Sequence, residues 1–388
     1  MAWKDVKVDE QRLRFVLRAS SGEEDIAGLC REFEISRPTG HKWLKRYREA
    51  ERIEEFREKS RRPQHSPNRT SPEIEQRIVA ERQQRPDWGA RKIQWILSRE
   101  GIALPVCTVH RVLQRNQLIQ DRQRHPPALK RFQREHPNQL WQMDFKGLPA
   151  NLSKGWAPLS VLDDCSRYAI GLEALRGTQW RPVRQRLEVM FEEAGLPDGM
   201  LMDHGTPWWN ANHPCGWTQL SIWLMNQNVR LHFSAIRHPQ TQGKVERFHR
   251  TLEDALHERG FPKTEAEWPG WLASFRQEYN QVRPHEALGM ATPASRWRPS
   301  DRRYQPTAAW EYAEGAQLQK IRAWGQVRLG GHEYTVSGAL AGQYVQLVPL
   351  GTDRMLVFYR RTCVRELNLR KKQSYAVYFS REQNVFEE

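Results

Sequence analysis

Apolar residues recur at helical intervals in the first third of the chain and alternate as in strands beyond about residue 138. Near the N-terminus, Ser21 and Glu24 have the spacing of a capping box, and the letters IAGLCREF then repeat apolar positions on one helical face. After a short break, Ser36 is a good N-cap and Pro38 suits the first turn of a helix. Residues 1–60 are therefore predicted to contain two short helices joined by a tight turn.

The second of these helices, RPTGHKWLKRY, is basic on the side predicted to be exposed. Trp43, Leu44 and Tyr47 can pack inward, which leaves a polar and basic set pointing outward. That set comprises Arg37, Thr39, His41, Lys42 and Arg46. The pattern predicts a helix-turn-helix DNA-binding domain, and a generic helical hairpin is the alternative interpretation.

A second helical unit follows the segment 61–72, which is a linker by its content of Pro, Ser and Arg. Thr70 and Glu73 have capping-box spacing, and three helical segments of similar length come after them. We expect residues 73–135 to form another helix-turn-helix or winged-helix-like DNA-binding domain. Its predicted DNA-facing residues are Thr108, His110, Arg111 and Arg115.

The segment 136–300 has the pattern of a mixed α/β domain. In LWQMDFKG, Asp144 falls on the strand face opposite Trp141 and Met143. Further strands are predicted at LSVLDD, YAIGLEAL, GMLM and RLHFSAI, with a helix at about 181–194. Strands first, followed by alternating helix and strand, indicate a mixed sheet covered by helices.

Residues 301–388 have the pattern of a small β-barrel with a tail. Short apolar runs such as QYVQLVPLG and RMLVFYR are separated by glycine turns. The pair Gly330-Gly331 is a strong hairpin signal. The whole chain is thus predicted to be multidomain: two all-α domains, an α/β core and a terminal β-barrel.

The charge is unevenly distributed along the 388 residues, whose net charge is +15. Residues 1–135 carry 30 Lys and Arg against 20 Asp and Glu, residues 136–260 carry 13 of each, and residues 261–388 carry 18 against 13. Two basic flanks around a neutral middle suit a polyanion-binding protein with a separate chemical centre. Solvated helix surface is the plainer explanation of the same numbers.

Several classes of protein are disfavoured by what the sequence lacks. There is no apolar run long enough for a bilayer and no signal-peptide pattern, and the five cysteines form no CxxC. The motif GxxxxGK[ST] is also missing, so we expect no nucleotide cofactor and no membrane partner. A cytoplasmic, nucleoid-associated location is the expectation from these features.

Three acids are notable for their positions. Asp144 lies in mid-strand, Asp203 ends an apolar strand, and Glu246 lies in the first turns of a helix, off its apolar stripe. Each has an ordinary alternative. Asp144 could be solvated, Asp203 could form the turn before Gly205, and Glu246 could pair with Arg250.

Taken in order, the motifs around these acids resemble DDE transposases of bacterial insertion sequences, relatives of retroviral integrases with a ribonuclease H-like catalytic core. The resemblance covers roughly residues 138–297 and is carried by WQMDFKG, SVLDDCSRYAIG, MDHGTP, HPQTQGKVERFHRTLEDAL and YNQVRPHEALGMATP. It implies that Asp144, Asp203 and Glu246 are the catalytic residues and the ligands of two Mg²⁺ ions, with Mn²⁺ as a substitute. It further implies cleavage at the terminal inverted repeats of an element and joining of the 3′-hydroxyl to target DNA.

The chain departs from the family pattern in the second half of the core. Between Asp203 and Glu246 lie 42 residues (246 − 203 − 1), more than is usual, and His204 stands where asparagine is often found. The histidine–cysteine zinc module of retroviral integrases is missing. These departures leave the triad complete and put the loop geometry between its members in question.

The basic residues Lys244, Arg247 and Arg250 near Glu246 are expected to hold DNA phosphates, with surface solvation as the alternative for Arg250. Gln240 and Gln242 belong to a polar segment before the helix that is expected to contact the DNA backbone or a base. The partners expected are element-end and target duplexes, bound by a homodimer or higher multimer that processes two ends together. A DNA-binding repressor with an inactive core and a ribonuclease H or junction nuclease are the alternative hypotheses.

Overall fold

The computed structural model describes residues 8–50, 69–119, 133–148, 155–210, 215–234, 242–306 and 309–377. The chain divides into two compact units, Met1–Arg69 and Thr70–Glu388.

In its described residues, 8–50 and 69, the first unit contains three helices, α1 (Val8–Ser21), α2 (Ile26–Glu32) and α3 (Arg37–Glu49). They enclose a small core that includes Phe15, Leu29 and Trp43. The predicted N-cap Ser36 is confirmed, since its hydroxyl accepts a hydrogen bond from the Thr39 amide.

The capping box predicted at Ser21 and Glu24 is wrong. Ser21 is the last residue of α1 and donates to the carbonyl of Arg18, while Glu24 is held by the Arg18 guanidinium. Asp25 caps α2 instead, accepting from the amide of Gly28. The prediction failed because a rule based on local spacing does not take into account that Ser21 belongs to the preceding helix, α1.

The second unit begins with another three-helix bundle, α4 (Pro72–Gln84), α5 (Ala90–Arg99) and α6 (Val106–Arg115). Its core includes Ile78, Trp88 and Val109. The predicted cap is displaced by one residue, because Ser71 rather than Thr70 accepts from the amide of Ile74. The segment 120–132, where a wing would fall, lies outside the described residues.

The predicted mixed α/β sheet is confirmed. Its strands are β1 (Trp141–Phe145), β2 (Trp156–Asp163), β3 (Ala169–Arg176), β4 (Gly199–Met202) and β7 (Arg230–Phe233), in the order β3-β2-β1-β4-β7. The pairs β1–β2 and β2–β3 are antiparallel, whereas β1–β4 and β4–β7 are parallel. The carboxyl ends of β1 and β4 therefore lie at the same edge of the sheet.

Helices cover both faces of this sheet. Helix α7 (Trp180–Ala194) shares a core with Trp141 and Met143 on one face. Helices α9 (Gly243–Arg259) and α10 (Glu267–Gln281) share the core of the other face with Leu162 of β2 and Leu172 of β3. The strand alternation read from LWQMDFKG thus holds, and Gln142 of β1 contacts α9 through the Val245 amide.

The long gap between Asp203 and Glu246 contains additional elements that the prediction treated as an insertion. These are β5 (Trp209–Asn210) and β6 (Gly216–Trp217), which pair with each other, and helix α8 (Gln219–Asn226). Trp208, Trp209 and Trp217 are buried in the sheet's core. The Trp217 indole also donates to the Val364 carbonyl at 3.0 Å, which ties the insertion to the C-terminal strands.

The predicted C-terminal β-barrel is not what the structure shows. The strands are β8 (Leu318–Lys320), β9 (Gln326–Leu329), β10 (His332–Thr335), β11 (Tyr344–Leu350), β12 (Arg354–Tyr359), β13 (Thr362–Asn368) and β14 (Gln373–Ala376). Five form an open antiparallel sheet, β14-β13-β12-β11-β8, and β9 pairs only with β10.

The barrel stays open because the hairpin predicted at Gly330-Gly331 does not bridge the two edges of the sheet. It contributes Val327 and Tyr334 to the same core as the sheet residues Val345 and Val357. Its link to the sheet is made by side chains, with Ser374 and Arg365 donating to the Thr335 carbonyl. In the part of the chain described, no ladder joins β8 to β14.

Candidate active site and DNA-contacting residues

Asp144 lies near the end of β1 with its carboxylate between the sheet and α9. Its Oδ1 accepts from the Phe145 amide at 2.8 Å, and its side chain is 24% exposed. Burial, together with the charges of Asp203 and Glu246, raises the pKa of Asp144 to about 7. The three acids singled out in the sequence are thus close enough to act on one another electrostatically.

Asp203 follows β4 directly and is held by two donors. Its Oδ1 accepts from the Gly205 amide at 2.9 Å and from the Trp208 indole at 2.7 Å. Trp208 is buried and stacks on Phe145, with ring centroids 5.5 Å apart. Phe145, the residue after Asp144, therefore helps to orient Asp203, because it stacks on the Trp208 indole that donates to Asp203.

Gly205 has a steric reason to be glycine. A Cβ at this position would lie 2.9 Å from Oδ1 and 3.0 Å from Oδ2 of Asp203. Any side chain would push the carboxylate away from its present position. Neither Gly205 nor Trp208 was assigned a role from the sequence, although both lie within five residues of Asp203.

Glu246 is exposed in the first turn of α9. Burial of its surroundings raises the pKa of Glu246, and the nearby Arg250 charge opposes that rise. Within the described residues no ion pair shorter than 4 Å joins Glu246 to Arg250, so the predicted alternative of a helical pair is not formed here. The carboxylate stays available at the edge of the sheet.

The start of α9 is fixed to the sheet beneath it. The Val245 amide donates to the Gln142 side chain, and Lys244 forms an ion pair with the fully buried carboxylate of Asp164. Gln142 also donates to Asp164 at 2.8 Å. These bonds locate Glu246 relative to β1, and they give the second aspartate of SVLDD a structural role.

His249 is a residue of the site that sequence reasoning missed. Its Nε2 lies 2.9 Å from the Ser160 hydroxyl, and its Nδ1 lies 3.8 Å from Oδ2 of Asp144. Burial, with a contribution from Lys146, lowers the pKa of His249 to about 3, so the ring is neutral. The only signal in the sequence was its position one helical turn after Glu246.

Lys146 supplies positive charge near Asp144 and acts against the rise in its pKa. Its ammonium group forms an ion pair with Glu253 of α9 at 2.8 Å. The lysine is mostly buried, with 16% of its side chain exposed. A cation is thus held close to the candidate catalytic carboxylates by a residue of the same helix that carries Glu246.

The described residues contain no group of three or more Asp, Glu, His or Cys side chains close enough to hold a metal ion as they stand. The fit can still be tested by charge and donor type. Asp144, Asp203 and Glu246 offer carboxylate oxygens, the ligands that hard divalent cations prefer. The raised pKa of Asp144 indicates negative charge that its protein neighbours do not neutralise. By both criteria the residues fit a divalent cation.

The predicted DNA contacts of the first unit lie on α3. Arg37, His41 and Lys42 are exposed, whereas Thr39 and Arg46 are half-buried. The Arg46 guanidinium lies over the Trp43 ring at 4.9 Å from its centroid. The exposed members leave a basic face on the helix that the sequence predicted to read DNA.

The four DNA-facing residues predicted on α6 differ in exposure and in whether they form an ion pair. His110 and Arg111 are exposed, and Thr108 is half-buried. Arg115 forms an ion pair with Glu75 of α4 at 2.5 Å. His110 and Arg111 are therefore the members of this set with the freest access to a ligand.

The predicted contacts around Glu246 also differ in accessibility. Gln240 lies outside the described residues, and Gln242 is buried at the N-cap of α9. Lys244 is engaged with Asp164, while Arg247 and Arg250 are exposed. Contact with DNA stays a prediction for all five, and the last two are the ones placed to make it.

Known domain families match three parts of the chain. An integrase core domain model matches residues 227–293, a homeodomain-like domain model residues 39–113, and a helix-turn-helix domain model residues 11–64. The chain is thus similar to helix-turn-helix domains in its N-terminal part and to integrase core domains in residues 227–293.

Two curated relatives come from insertion elements. A 31.7 kDa protein of insertion element IS407 from Burkholderia multivorans is 24% identical over 225 residues, which cover 56% of this chain and 78% of the relative. A 39.2 kDa protein of insertion element IS476 from Xanthomonas euvesicatoria is 26% identical over 159 residues, covering 41% of this chain and 44% of the relative. The chain is thus similar to proteins encoded by bacterial insertion elements.

Among solved structures, the magnesium-bound dimeric form of the HTLV-2 integrase catalytic core domain resembles the chain. The identity is 12% and the TM-score 0.33, over 42% of this chain and 97% of that one. Within the described residues, no helix is both long and apolar enough to cross a membrane.

Proposed function

We propose that this protein is a transposase that binds the terminal inverted repeats of its element, cleaves DNA at the element ends and joins the exposed 3′-hydroxyl to target DNA. The observation that carries the proposal is the mutual effect of Asp144, Asp203 and Glu246. Burial and the charges of Asp203 and Glu246 together raise the pKa of Asp144 to about 7. Folded proteins keep such repulsion where a function requires it.

Asp144, Asp203 and Glu246 would hold divalent cations, with Mg²⁺ as the proposed metal, two ions as the proposed number and Mn²⁺ as a substitute. Bound there, the metal would stabilise the charge that develops on the attacking and leaving oxygens of a phosphodiester. Three carboxylates suffice because Mg²⁺ keeps water and phosphate oxygens as its remaining ligands.

The chain's own residues have separate roles in this proposal. Trp208 and the Gly205 amide hold one oxygen of Asp203, which leaves the other directed to the site. Neutral His249, bonded to Ser160, packs beside Asp144 without adding charge. Arg247 and Arg250 are exposed beside Glu246 and would hold phosphates of the bound strand.

The reaction needs no covalent intermediate on the protein. In the first step a water oxygen forms a bond to phosphorus and the 3′-oxygen of the element end leaves, taking up a proton. In the second step that 3′-hydroxyl attacks a target phosphodiester, and a target 3′-oxygen leaves. One set of carboxylates can serve both steps, since each is an in-line displacement at phosphorus.

The test is incubation of the protein with Mg²⁺ or Mn²⁺ and a duplex carrying the inverted repeat that flanks the reading frame, followed by mapping of nicks and joined products. Glu246→Gln should abolish both products while duplex binding persists. Glu258→Gln, which removes a carboxylate from the same helix about three turns away, should retain them. If the wild-type protein binds this duplex but never nicks it, the repressor hypothesis is favoured.

The proposal also includes a multimer, because two element ends have to be processed together. Light scattering on complexes with paired ends should give at least two protein chains for each pair. A single chain on each pair would contradict this part of the proposal without affecting the chemistry proposed for one end.

A further inference from the structure

The second helix-turn-helix bundle is joined to the catalytic core through the turn between α4 and α5. Asp87 in this turn has a fully buried carboxylate that accepts from Arg259 at 2.6 and 2.9 Å and from Arg283 at 2.5 Å. Arg259 is the last residue of α9, whose first turn carries Glu246. The helix of the candidate active site is therefore anchored at its far end by the DNA-binding bundle.

Apolar and aromatic contacts reinforce this junction. Val282 packs against the core of the α4–α6 bundle, and the Arg283 guanidinium lies 5.7 Å from the Trp88 ring centroid. Arg259 is held on its other side by Glu278 at 2.6 Å. Since the bundle and the core belong to one compact unit, α6 has a set position relative to Glu246.

A cavity of about 640 Å³ lies at this junction. It is lined by Arg91 and Lys92 of α5, by Cys107 and His110 of α6, and by Glu286 of the core. Helices α5 and α6 both begin beside it, and neither N-cap makes a side-chain hydrogen bond. The amide groups that start these helices add to the positive character of the cavity.

The charges around the cavity do not balance. Glu286 is paired with Arg91 at 2.7 Å, and Asp87 is already shared by Arg259 and Arg283. Lys92 is half-buried and makes no ion pair within the described residues. Burial and the charges of Arg283 and Arg247 lower the pKa of Lys92 to about 8, against the opposing charges of Glu286 and Asp87. An anion would relieve this excess of positive charge.

The location of these cations indicates which anion fits. His110 is on the exposed face of α6, the helix predicted to read DNA, whereas Arg247 is the residue after Glu246. Lys92 lines the cavity with His110 and is within electrostatic range of Arg247. A ligand that extends from α6 to the carboxylates would meet all three, and a nucleic-acid backbone is such a ligand.

We propose that the junction cavity binds a backbone phosphate of the element-end duplex, between the part read by α6 and the part cleaved at Asp144, Asp203 and Glu246. This inference rests on the proposed function for the identity of the DNA. The buried ion pairs of Asp87 keep the phosphate site at a constant distance from the carboxylates. Binding by α6 would then set which phosphodiester reaches the active site.

The test is duplex binding by the full-length protein in EDTA, measured by fluorescence polarisation between 50 and 200 mM salt. The probe is a labelled duplex with the inverted repeat that flanks the reading frame. Lys92→Gln should reduce the slope of log K against log salt by about 0.9, the loss of one phosphate contact. At 0.1 M salt this corresponds to about eightfold weaker binding, since 10 raised to 0.9 is about 8.

Two further variants separate a phosphate contact from a structural effect. Lys92→Arg keeps the charge and should keep the wild-type slope. Arg99→Gln removes a cation from the same helix away from the cavity, and it should also leave the slope unchanged. If Lys92→Gln does not fold, Arg91→Gln takes its place, because the Arg91 side chain is 66% exposed and its replacement is tolerated.

A single neutral methylphosphonate, moved along the duplex, locates the phosphate. At one position it should weaken binding by the wild-type protein and leave binding by Lys92→Gln unaffected. An unchanged slope for Lys92→Gln, or an equal loss in Arg99→Gln, would overturn the proposal. Because EDTA prevents cleavage, failure of this test is distinguishable from failure of the proposed chemistry, which is read from nicked products.

Discussion

Replacing Asp144 by asparagine should stabilise the metal-free protein at alkaline pH. Burial and then the charges of Asp203 and Glu246 raise the pKa of Asp144 from its ordinary 3.8 to about 7. Between these values the folded protein keeps a proton on Asp144 that the unfolded chain has released. Stability therefore falls as the pH rises through this window, and the loss is complete above pH 7.

The magnitude follows from the difference in pKa. A difference of about 3, at 1.36 kcal/mol for each unit, gives about 4 kcal/mol at pH 8. Because 24% of the Asp144 side chain is exposed, solvent screening reduces this value, and we expect about 2–4 kcal/mol. The amide of the variant carries no charge, so the variant should gain this stability at pH 8 and almost none at pH 4.

The assay is urea unfolding in EDTA at several pH values from 4 to 8, with the transition of the catalytic core followed separately from that of the first helical unit. Asp198→Asn is a suitable control, because Asp198 precedes β4 of the same sheet and its side chain is 59% exposed. An Asp144→Asn gain that is the same at pH 4 and pH 8 would refute the electrostatic explanation. So would equal urea midpoints for the variant and the wild type at pH 8.

Three further predictions address the surroundings of the site. Asp87→Asn leaves the buried Arg283 without its counterion and should lower the free energy of unfolding by about 3 kcal/mol. The loss should appear as roughly 150-fold faster hydrogen exchange in α4–α6, and exchange within twofold of wild type would contradict the proposed junction. Gly205→Ala should displace the Asp203 carboxylate and reduce cleavage at least about tenfold with duplex binding unchanged, and full cleavage would show that the close approach is not needed. His249→Asn should keep the shape of the pH–rate profile between pH 5 and 9, because the wild-type ring, with a pKa of about 3, is neutral throughout; loss of one limb of the profile would refute this.

The strand and helix pattern of the core could be predicted because each element is strongly periodic. The alternation in LWQMDFKG separated Asp144 from Met143, and the sheet preserves that separation. The apolar stripe that starts at Val245 and includes Phe248 is likewise buried, leaving Glu246 outside it. Here local pattern and tertiary packing select the same residues, so the sequence alone was informative.

Features that depend on contacts between distant segments could not be predicted in this way. The C-terminal strands looked like those of a barrel, and whether such a sheet closes depends on how its edges meet, which no local pattern specifies. The indole of Trp208 donates to Asp203 and stacks on Phe145, a residue of β1 that is distant in the sequence. The same is true of His249, whose role comes from its approach to Ser160 and Asp144.

The basic residues that surround Glu246 include, within one helix, both a role that local pattern predicts and a role that depends on contacts with distant segments. Lys244 and Arg247 are both cationic and three positions apart, so composition and spacing gave them the same predicted role. The structure separates them, because Lys244 points under α9 to the buried Asp164 whereas Arg247 is exposed and acts on Lys92 across the junction. A buried pair of this kind costs several kcal/mol to break, so Lys244 is poorly suited to exchange its carboxylate for a phosphate. It follows that Lys244→Gln should act first on the placement of Glu246, whereas Arg247→Gln should act first on the salt dependence of DNA binding. Equal salt slopes for the two variants would mean that accessibility does not separate their roles.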